Sequence, residues 1–405
     1  MKHIYIFNIP NNALQYGIGT YINTLLPVLR KNNFKITVVE LFSECECIRQ
    51  EINQGIRYLY LPGYENKNMN RKYYYRNIFY VLHPYIDPSD ENIAHINYRS
   101  CRDLMLQLKK AFHFKVYLTW HFSSWRDWMD ENELEILLEK RKCHKVLTQR
   151  EMAIQEDLDM EQRLLDDCCD KVIVLSEQAY RSMQAIYRLP PDKLKIIYNG
   201  IEDFYHERFS QKEIKASWNL PEDEKIILFV GRLDENKNAS LVIRAFHRVK
   251  QKLRAVRLVI AGAGNFETPL SFIHPADATH ILFTGFVNKE KLHELYAIAD
   301  LGVVPSRYEE SGYVATEMMM HGLPVVANRT GGLAELIEED VSGELIDLYT
   351  GKNEQESVDL LATALLRILQ EEPRCRRLGA KARKRYETNF SMPLFEQKMI
   401  DFYQS

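Results

Sequence analysis

Short apolar runs alternate with amphipathic stretches along the chain, and the alternation occurs in two cycles. In the first cycle the apolar runs lie at residues 4–9, 35–42, 93–98 and 116–122. Each has the length of a buried strand, and the stretches between them favour helices and loops. Strands that alternate with helices form parallel sheets covered by helices on both faces. The pattern therefore predicts an α/β fold.

The second cycle begins near residue 225, after a predicted turn at Asn199-Gly200. Its apolar runs predict strands at residues 226–230, 280–287 and 299–306, again with helices between them. A chain of 405 residues is long enough for two domains of ordinary size, each with its own core. We therefore expect two α/β domains in succession.

The end of the chain is predicted to be mostly helical. Gly343 is predicted to make a turn, and a helix is predicted over residues 354–370. A break near Ser391-Met392-Pro393 splits the remainder into a final pair of helices, because proline does not continue a helix.

The stretch from Pro305 to Glu335 carries the chemistry around which the chain is organised. Glu309 and Glu317 lie eight residues apart, with Gly312 between them. A glycine lets the backbone approach a ligand closely, and the free N–H groups at the start of the helix that follows can hold an anion. Two carboxylates that flank such a helix start suit a ligand with an anionic middle and hydroxyls at both ends, such as a nucleoside diphosphate sugar. The alternative is an ordinary pair of helix-associated glutamates, which this spacing produces by chance in many proteins.

A longer run of residues favours the ligand-binding interpretation. The stretch resembles the E-x7-E region of family 4 of the retaining glycosyltransferases with the GT-B fold, usually E-P-F-G-x-x-x-x-E-A-M-A-x-G-x-P-V-V-A-x-x-x-G-G-x-x-E. The matching residues are Glu309, Gly312, Glu317, Met319, Gly322, Pro324, Val325, Val326, Ala327, Gly331, Gly332 and Glu335. The chain departs from this form with Glu310 and Ser311, where proline and phenylalanine are usual. The departure concerns the shape of the sugar pocket.

The resemblance implies a fold and a domain division. The GT-B fold has two facing Rossmann-like domains with parallel sheets and a cleft between them. By this resemblance, residues 1–200 form an acceptor-side domain and residues 201–387 form a nucleotide-sugar donor domain. The C-terminal helix, residues 388–405, is implied to pack back on the first domain.

The resemblance also implies roles for four charged residues. Arg232 and Lys237 follow the strand at 226–230 in a sequence similar to the family's G-R-x-x-x-x-K element. The arginine fork and the lysine point charge suit the two phosphates of a leaving diphosphate. Glu317 is implied to bind the ribose hydroxyls, and Glu309 a hydroxyl of the transferred sugar. Without the resemblance, the two cations could belong to a solvated loop.

Several further residues are implied to line the donor site. A glycine turn after one strand lies beside the nucleotide in the family, and a Gly-Phe-Val stretch reads the base through its backbone. The residues that match these stretches and the helix start are Gly231, Gly262, Gly285, Phe286, Val287, Ser311, Gly312, Tyr313 and Val314. The glycines at 262 and 264 do not continue into a dinucleotide-binding fingerprint, because its third glycine would be Glu267.

Three residues of the first domain complete the predicted site. Gly17 and Gly19 are predicted to lie in a glycine loop after the first strand, which in the family faces the donor diphosphate and the acceptor. His121 ends the strand at 116–122, where it would face the ligand crevice and donate a hydrogen bond to a sugar hydroxyl. In the family, a histidine at this place contacts the donor sugar. The alternatives are a glycine pair that only makes a turn and a histidine that is only structural.

Composition and charge restrict the partners and the compartment. A formal net charge of -3 argues against nucleic acid as the main partner. The N-terminal apolar run is too short for a signal peptide, and no run of 18 apolar residues predicts a membrane span. Seven cysteines without a C-x-x-C pair indicate free thiols in a reducing cytoplasm.

Residues 64–85 are basic and rich in tyrosine. Such a segment can lie on an anionic membrane surface or bind a charged acceptor. The alternative is that its aromatic residues pack on the domain while its basic residues stay solvated. We therefore expect a protein of the cytoplasm, either free or at the inner face of the membrane.

Together these observations predict a retaining glycosyltransferase that moves a hexose from a nucleotide-diphosphate sugar to a hydroxyl acceptor. Family frequency favours UDP, with GDP second. No D-x-D triplet is placed to hold a metal, so the prediction is a metal-independent enzyme without a cofactor. The acceptor can be a glycan, a lipid carrier or a peptide.

Three alternatives to this function stay open. The first is a nucleotide-sugar epimerase on the same fold, which would convert the donor without any acceptor. The second is a two-domain solute-binding protein, which the missing secretion signal disfavours. The third is a catalytically silent GT-B binding subunit, suggested by Glu310-Ser311.

Overall fold

The computed structural model describes residues 1–9, 17–63, 71–129, 131–205, 210–349 and 351–405. They form two compact units, one of residues 1–197 with 396–405 and one of residues 198–395. Each unit is built around one sheet of predominantly or entirely parallel strands.

The first unit contains an eight-stranded sheet in the order β3-β4-β2-β1-β5-β6-β7-β8. All neighbouring strands are parallel except β3, which runs antiparallel to β4. The strands are β1 (Lys2–Asn8), β2 (Lys35–Ser43), β3 (Arg49–Asn53), β4 (Ile56–Pro62), β5 (Glu91–Ile96), β6 (Lys115–Trp120), β7 (Lys171–Val174) and β8 (Leu194–Ile196).

The helices of the first unit lie between these strands. They are α1 (Gly17–Lys31), α2 (Arg71–Leu82), α3 (Arg102–Phe112), α4 (Glu131–Lys142), α5 (Gln149–Asp167) and α6 (Glu177–Tyr187). The side chain of Ser176 caps α6 by accepting a hydrogen bond from the N–H of Ala179 (3.1 Å).

The prediction of a glycine loop at Gly17 and Gly19 is wrong. Both glycines lie in the first turn of α1, where Gly17 is exposed and Gly19 is buried. Glycine has a low helix propensity, which favours a loop at this place. The burial of Tyr21, Ile22 and Leu25 stabilises α1 enough to outweigh that preference, so the helix includes both glycines.

The basic and tyrosine-rich segment 64–85 is partly helical. Residues 64–70 lie outside the described residues, and α2 occupies most of the rest. Tyr74 and Tyr75 are buried, whereas Tyr73, Arg76 and Tyr80 are exposed. Residues three or four apart share a helix face, so the exposed side chains form one face of α2.

The second unit contains a six-stranded parallel sheet in the order β11-β10-β9-β12-β13-β14. The strands are β9 (Lys225–Val230), β10 (Val256–Ala261), β11 (Ile281–Gly285), β12 (Leu301–Val304), β13 (Val325–Asn328) and β14 (Gly343–Ile346). Gly343 starts β14 and does not form the predicted turn. A Cβ atom at this position would lie 2.5 Å from the carbonyl oxygen of Val325 in the neighbouring strand.

The helices of the second unit lie before, between and after its strands. They are α7 (Gln211–Ser217), α8 (Ala239–Lys252), α9 (Glu267–Ser271), α10 (Lys289–Ile298), α11 (Tyr313–Met320), α12 (Leu333–Leu336), α13 (Glu354–Leu369) and α14 (Glu372–Asn389). The last helix, α15 (Met392–Gln404), follows the predicted break near Pro393, and its residues from Glu396 onward belong to the first unit.

The strand β9 shows why its sequence is almost wholly apolar. Ile226 and Leu228 pack in one core cluster, and Ile227 and Phe229 pack in another. Successive side chains of a strand point to opposite faces of the sheet, so the two clusters lie on its two faces. A strand covered on both faces needs apolar residues at every position.

Each sheet has one place where the strand order reverses. In the second unit this switch point lies between β9 and β12, and in the first unit it lies between β1 and β5. Ligands of open α/β sheets bind outside the carboxyl ends of the strands at such points. The loops after these four strands are therefore the first places to search for a site.

Two composition-based expectations can be compared with the structure. All seven cysteines, each within the described ranges, are free thiols, as the sequence predicts. Among the helices that the structure describes, none is long and apolar enough to cross a membrane.

Candidate functional site

Two loops meet at the switch point of the second sheet. The loop after β9 contains Asn236, and the loop after β12 contains Arg307 and Tyr308. The carbonyl oxygen of Asn236 accepts from the N–H of Arg307 (2.8 Å), and its side-chain amide bonds both the N–H and the carbonyl oxygen of Tyr308 (3.1 Å each). One asparagine thus fixes the two loops relative to each other.

Lys237 and Glu309 form an ion pair across this switch point. The ammonium of Lys237 donates to Oε1 of Glu309, and Ser306 Oγ donates to the same oxygen at 2.8 Å. The side chains of Lys237 and Glu309 are only 20% and 16% exposed. Water and salt screen such a pair less than a surface pair, so both side chains are held firmly.

Arg232 lies on the same loop and also faces a carboxylate. Its Nη2 atom is 2.8 Å from Oδ2 of Asp234, and its side chain is 50% exposed. The other oxygen of Asp234 accepts from the backbone N–H of Lys237 (2.9 Å). Asp234 therefore links the two predicted diphosphate-binding cations.

Glu317 is held from a neighbouring helix. It lies in α11, and the hydroxyl of Tyr296 in α10 donates to its Oε2 atom at 2.7 Å. Burial raises the pKa of the Glu317 carboxyl, while the hydrogen bond from Tyr296 opposes that rise. Burial also raises the pKa of Tyr296 well above its usual value, so the phenol keeps its proton and remains a donor.

Replacement of Tyr296 by phenylalanine should lower stability by about 1–2 kcal/mol, because Glu317 loses its donor. Without that bond the pKa of Glu317 rises further above its unfolded value. The folded variant then binds more protons than the unfolded chain between those two pKa values, so its stability falls as pH rises through this window. Urea unfolding at pH 4.5 and 7.5 should show the larger loss at pH 7.5. Tyr80→Phe, at an exposed tyrosine, is the control, and an equal loss at both pH values would contradict the assignment.

The start of α11 offers backbone donors beside these carboxylates. Gly312 has left-handed dihedral angles (φ 60°, ψ 46°) and precedes the helix. Thr316 is the residue whose N–H donates to the Gly312 carbonyl oxygen (3.1 Å), so the N–H groups of residues 313–315 precede the first helical bond. Such N–H groups, at the positive end of the helix dipole, can bind an anion. Ser311, Tyr313 and Val314 are all partly buried around this start.

The Gly331-Gly332 pair packs against the backbone of the loop that contains Glu309. The N–H of Gly332 donates to the carbonyl oxygen of Glu309 at 2.7 Å. A Cβ atom on Gly331 would lie 2.0 Å from that same oxygen, and one on Gly332 would lie 2.5 Å from the carbonyl oxygen of Glu310. These contacts explain why two glycines occur 22 residues after Glu309 in the same motif.

The other predicted donor-site glycines join the ends of three neighbouring strands. The N–H of Gly231 donates to Ala261 (3.0 Å), and the N–H of Gly262 donates to Gly285 (2.9 Å). A Cβ atom on Gly262 would lie 1.8 Å from the carbonyl oxygen of Gly231. Phe286 and Val287 follow directly, and the Phe286 side chain is largely exposed.

His121 lies in the first unit, directly after β6. Its Nε2 atom is 2.8 Å from Oδ1 of Asn97, and its ring meets the ring of Tyr21 edge-on at 4.9 Å between centroids. Burial, helped by the nearby His95, lowers the pKa of His121 to about 3. The imidazole is therefore neutral at physiological pH.

The structure brings some of the predicted residues into contact within the second unit. Lys237 and Glu309 touch, and Arg232 is linked to Lys237 through Asp234. Gly17, Gly19 and His121 belong to the first unit. The roles predicted for all of these residues in ligand binding stay predictions.

Sequence reasoning missed three supporting residues. Asn236 and Ser306 lie inside the two motifs, and their short polar side chains were a usable signal for loop-to-loop hydrogen bonds. Tyr296 precedes Glu317 by 21 residues and lies on a different helix. Nothing in its local sequence indicates this contact.

A group of potential metal ligands lies outside this site. Among the described residues, His247, His274 and Asp277 bring ligand-type atoms within 4.8 Å of one another. The two imidazole rings stack, with centroids 4.3 Å apart and planes at 26°. Both Nδ1 atoms already have partners within the protein. Nδ1 of His247 is 2.6 Å from Oδ2 of Asp277, and Nδ1 of His274 accepts from the N–H of Ala276 (3.2 Å). None of the three residues belongs to the predicted donor site.

Comparison with known protein families decides the classification. The family described as "Glycosyltransferase Family 4" matches residues 16–203, and the family described as "Glycosyl transferases group 1" matches residues 210–385. The chain belongs to the family 4 glycosyltransferases. The family that the E-x7-E stretch predicts is confirmed.

Among curated relatives, an uncharacterized glycosyltransferase of Methanocaldococcus jannaschii is 39% identical over 179 residues. The match covers 43% of this chain and 46% of that protein. This chain spans about half the length of the curated relatives that it matches.

Solved structures confirm the GT-B fold. Sucrose-phosphate synthase from Thermosynechococcus elongatus superimposes with a TM-score of 0.76 at 21% identity, covering 99% of this chain and 98% of that one. The Anabaena protein HepE, solved in complex with UDP, gives a TM-score of 0.74 at 16% identity and covers 100% of both chains. At these identities the likeness shows the fold alone.

Proposed function

We propose that this chain is a retaining glycosyltransferase that moves a hexose from a nucleotide-diphosphate sugar to a hydroxyl acceptor. The observation that carries the proposal is the partly buried Lys237–Glu309 pair at the switch point between β9 and β12. In this pair, the cation that we propose for phosphate contacts the carboxylate that we propose for a sugar hydroxyl. The start of α11 adds backbone donors for the same anionic ligand.

Each charged group has a task in the proposed reaction. Arg232 and Lys237 bind the diphosphate, Glu309 accepts from a hydroxyl of the transferred sugar, and Glu317 accepts from the ribose hydroxyls. Negative charge grows on the leaving phosphate oxygen as its bond to the anomeric carbon breaks. The two cations stabilise that charge most strongly in the transition state, which is how fixed charges accelerate a reaction.

The bond changes of the proposed reaction balance without a further reactant. The acceptor oxygen bonds to the anomeric carbon on the face from which the diphosphate leaves. The leaving phosphate oxygen takes the proton of the acceptor hydroxyl. Arg232 and Lys237 offset two negative charges of the leaving diphosphate, a task that a metal ion can also perform, so we propose transfer without a metal or other cofactor.

UDP is the first nucleotide to test and GDP the second. Family frequency favours UDP, and the structural neighbour HepE is solved with UDP and with UDP and glucose. The proposed acceptor carries a hydroxyl on a glycan, a lipid carrier or a peptide.

The exposed face of α2, with Tyr73, Arg76 and Tyr80, supports a proposed contact with the cytoplasmic face of a membrane. Co-sedimentation with anionic vesicles, compared with neutral ones, tests this contact. Equal sedimentation with both kinds of vesicle would contradict an electrostatic contact.

Calorimetric titration of UDP and GDP in the presence of EDTA tests the proposed donor site. We expect one nucleotide to bind, and the double variant Arg232→Ala, Lys237→Ala to bind it at least tenfold more weakly, since it lacks both phosphate partners. Lys212→Ala, at an exposed lysine of the same unit, serves as the control. If neither nucleotide binds, or the double variant binds as tightly, the diphosphate site is refuted and a silent subunit is favoured.

Enzymatic assay distinguishes the remaining functions. The donor in this assay is a nucleotide sugar that carries the preferred nucleotide. For a glycosyltransferase, we expect sugar transfer and release of the nucleoside diphosphate only when an acceptor is present. Conversion of the donor in the absence of an acceptor would instead show an epimerase. Sugars on the preferred nucleotide are then screened for the fastest transfer.

A further inference from the structure

Asn97 occupies the switch point of the first sheet. It directly follows β5, whose neighbours are β1 on one side and β6 on the other. His121 directly follows β6, so both residues lie at the carboxyl edge of the sheet. The Asn97 side chain is 5% exposed.

Among the described residues, only the oxygen of the Asn97 side-chain amide has a hydrogen-bond partner. This Oδ1 atom is 2.8 Å from Nε2 of His121. The Nδ2 atom is buried and has no hydrogen-bond partner among the described residues. Buried amides are normally bonded at both ends, because an unpaired donor costs free energy. Within the described part of the chain, His121 is therefore the group on which the Asn97 side chain can act through a hydrogen bond.

The hydrogen bond to Asn97 fixes the tautomer of His121. An amide oxygen has no proton to give, so Nε2 of the histidine must carry the proton that is shared. Because burial keeps the pKa of His121 far below neutrality, the ring carries a single proton, and Nδ1 is then a hydrogen-bond acceptor. Nδ1 makes no hydrogen bond with the described residues, and His121 is partly exposed.

A buried network beneath the ring limits its movement. Tyr21 contacts His121 edge-on, and the hydroxyl of Tyr21 is 2.9 Å from Oγ1 of Thr119. The same Oγ1 atom is 2.7 Å from Nε2 of His95, whose Nδ1 atom bonds the hydroxyl of Tyr403 in α15. The ring orientation is thus set from α1 on one side and by Asn97 on the other.

We propose that Asn97 is a positioning residue that locks His121 as the Nε2–H tautomer, so that Nδ1 is presented as an acceptor to a hydroxyl of the bound sugar. The identity of the ligand rests on the proposed function. The sequence predicts the opposite direction, with His121 as the donor. In this arrangement the site selects a hydroxyl that can donate and disfavours a ligand group that can only accept.

The isosteric variant Asn97→Asp tests the lock through pH. Aspartate keeps an oxygen toward Nε2 but adds a negative charge, which raises the pKa of His121 and favours the imidazolium. Both ring nitrogens then donate, and the acceptor is lost. The other titratable groups against the ring, within the described residues, are His95 and Tyr21, and neither changes in the variant.

The readout is the ratio of affinities for the UDP-sugar and for UDP alone. We expect this ratio in Asn97→Asp, divided by the wild-type ratio at the same pH, to fall roughly tenfold when pH is lowered from 8 to 6. This division removes the titration of the terminal phosphate of UDP, which affects both proteins alike. UDP alone lacks the hydroxyl of the transferred sugar, so at each pH its affinity should be the same in the variant and in the wild type. Asn92→Asp, which adds a charge at the other end of β5, should lower stability and leave the ratio at its wild-type value. A ratio in Asn97→Asp that equals the wild-type ratio at both pH values would overturn the proposal.

Nitrogen-15 NMR of the imidazoles provides a second test that needs no ligand. His121 is assigned by subtraction of the spectrum of His121→Gln. We expect a protonated Nε2 and an unprotonated Nδ1 in the wild type, and a mixture of tautomers in Asn97→Ala. A proton on Nδ1 in the wild type would refute the lock. If no nucleotide binds at all, the proposed function fails while this measurement still decides the tautomer.

Discussion

Replacement of Lys237 by alanine is expected to lower kcat/KM for glycosyl transfer about a thousandfold. The loss of one preorganised charge donor to a developing anion typically costs a factor of this size. Lys237 has the geometry for the task, because the loop after β9 and its pair with Glu309 hold the ammonium in one place. Its removal also leaves the partly buried Glu309 without its cation, although Ser306 still donates to it.

Two comparison variants make this result specific. Lys252→Ala removes an exposed lysine from the far end of the helix that follows Lys237, and should leave activity unchanged. The double variant Lys237→Ala, Glu309→Ala should be slower than Lys237→Ala, but by less than the factor that Glu309→Ala costs alone, because residues in contact are not additive. Initial rates at varied donor concentration provide kcat and KM. A loss below tenfold in Lys237→Ala would remove this lysine from the proposed reaction.

Replacement of Gly331 by alanine is expected to destabilise the second unit by more than about 3 kcal/mol. The left-handed backbone (φ 47°) alone costs an alanine about 1–2 kcal/mol. The added Cβ atom would also lie 2.0 Å from the carbonyl oxygen of Glu309, so the loop must shift. A backbone conflict of this kind is among the causes of the largest mutational losses.

Gly351→Ala is the matched control for this prediction. Gly351 also has a left-handed backbone (φ 65°), but a Cβ atom there meets nothing within 4 Å. Gly351→Ala should therefore lose only the cost of the left-handed backbone, about 1–2 kcal/mol. Urea unfolding followed by circular dichroism measures both variants. Equal losses would show that Gly331 does not pack against the Glu309 loop.

The strands and the motif region could be predicted from sequence because their signals are local. The run at 226–230 is apolar at every position, and the structure shows why, since Ile226 and Ile227 enter different cores. Gly312 before a helix and Pro393 at a helix break are also local signals, because each restricts the backbone of its own neighbourhood.

The errors and omissions arise where distant packing decides. Gly17 and Gly19 favour a loop by propensity, yet they start α1 because its buried face outweighs that preference. Gly343 reads as a turn residue, but it opens β14 beside Val325. The Tyr296–Glu317 bond joins two helices, and no spacing rule within either helix reveals it.

The candidate site was predicted as a set of residues but not as a set of contacts. The sequence indicates Lys237 for phosphate and Glu309 for sugar as separate tasks, whereas the structure joins them in one ion pair. Likewise, the position of His121 follows from the end of its strand, but its tautomer depends on Asn97, which lies 24 residues away in sequence. Motifs locate the groups, and only the fold determines which groups share protons and charges.

The paired charges at the second switch point have a consequence for turnover. Arg232 and Lys237 each face a carboxylate, Asp234 and Glu309, so the four charges nearly balance. In the proposed reaction, the diphosphate would displace these carboxylates from the cations, and the carboxylates would return when the nucleotide leaves. We therefore expect the two ion pairs to weaken binding of the donor and to promote release of the nucleoside diphosphate, which would limit product inhibition.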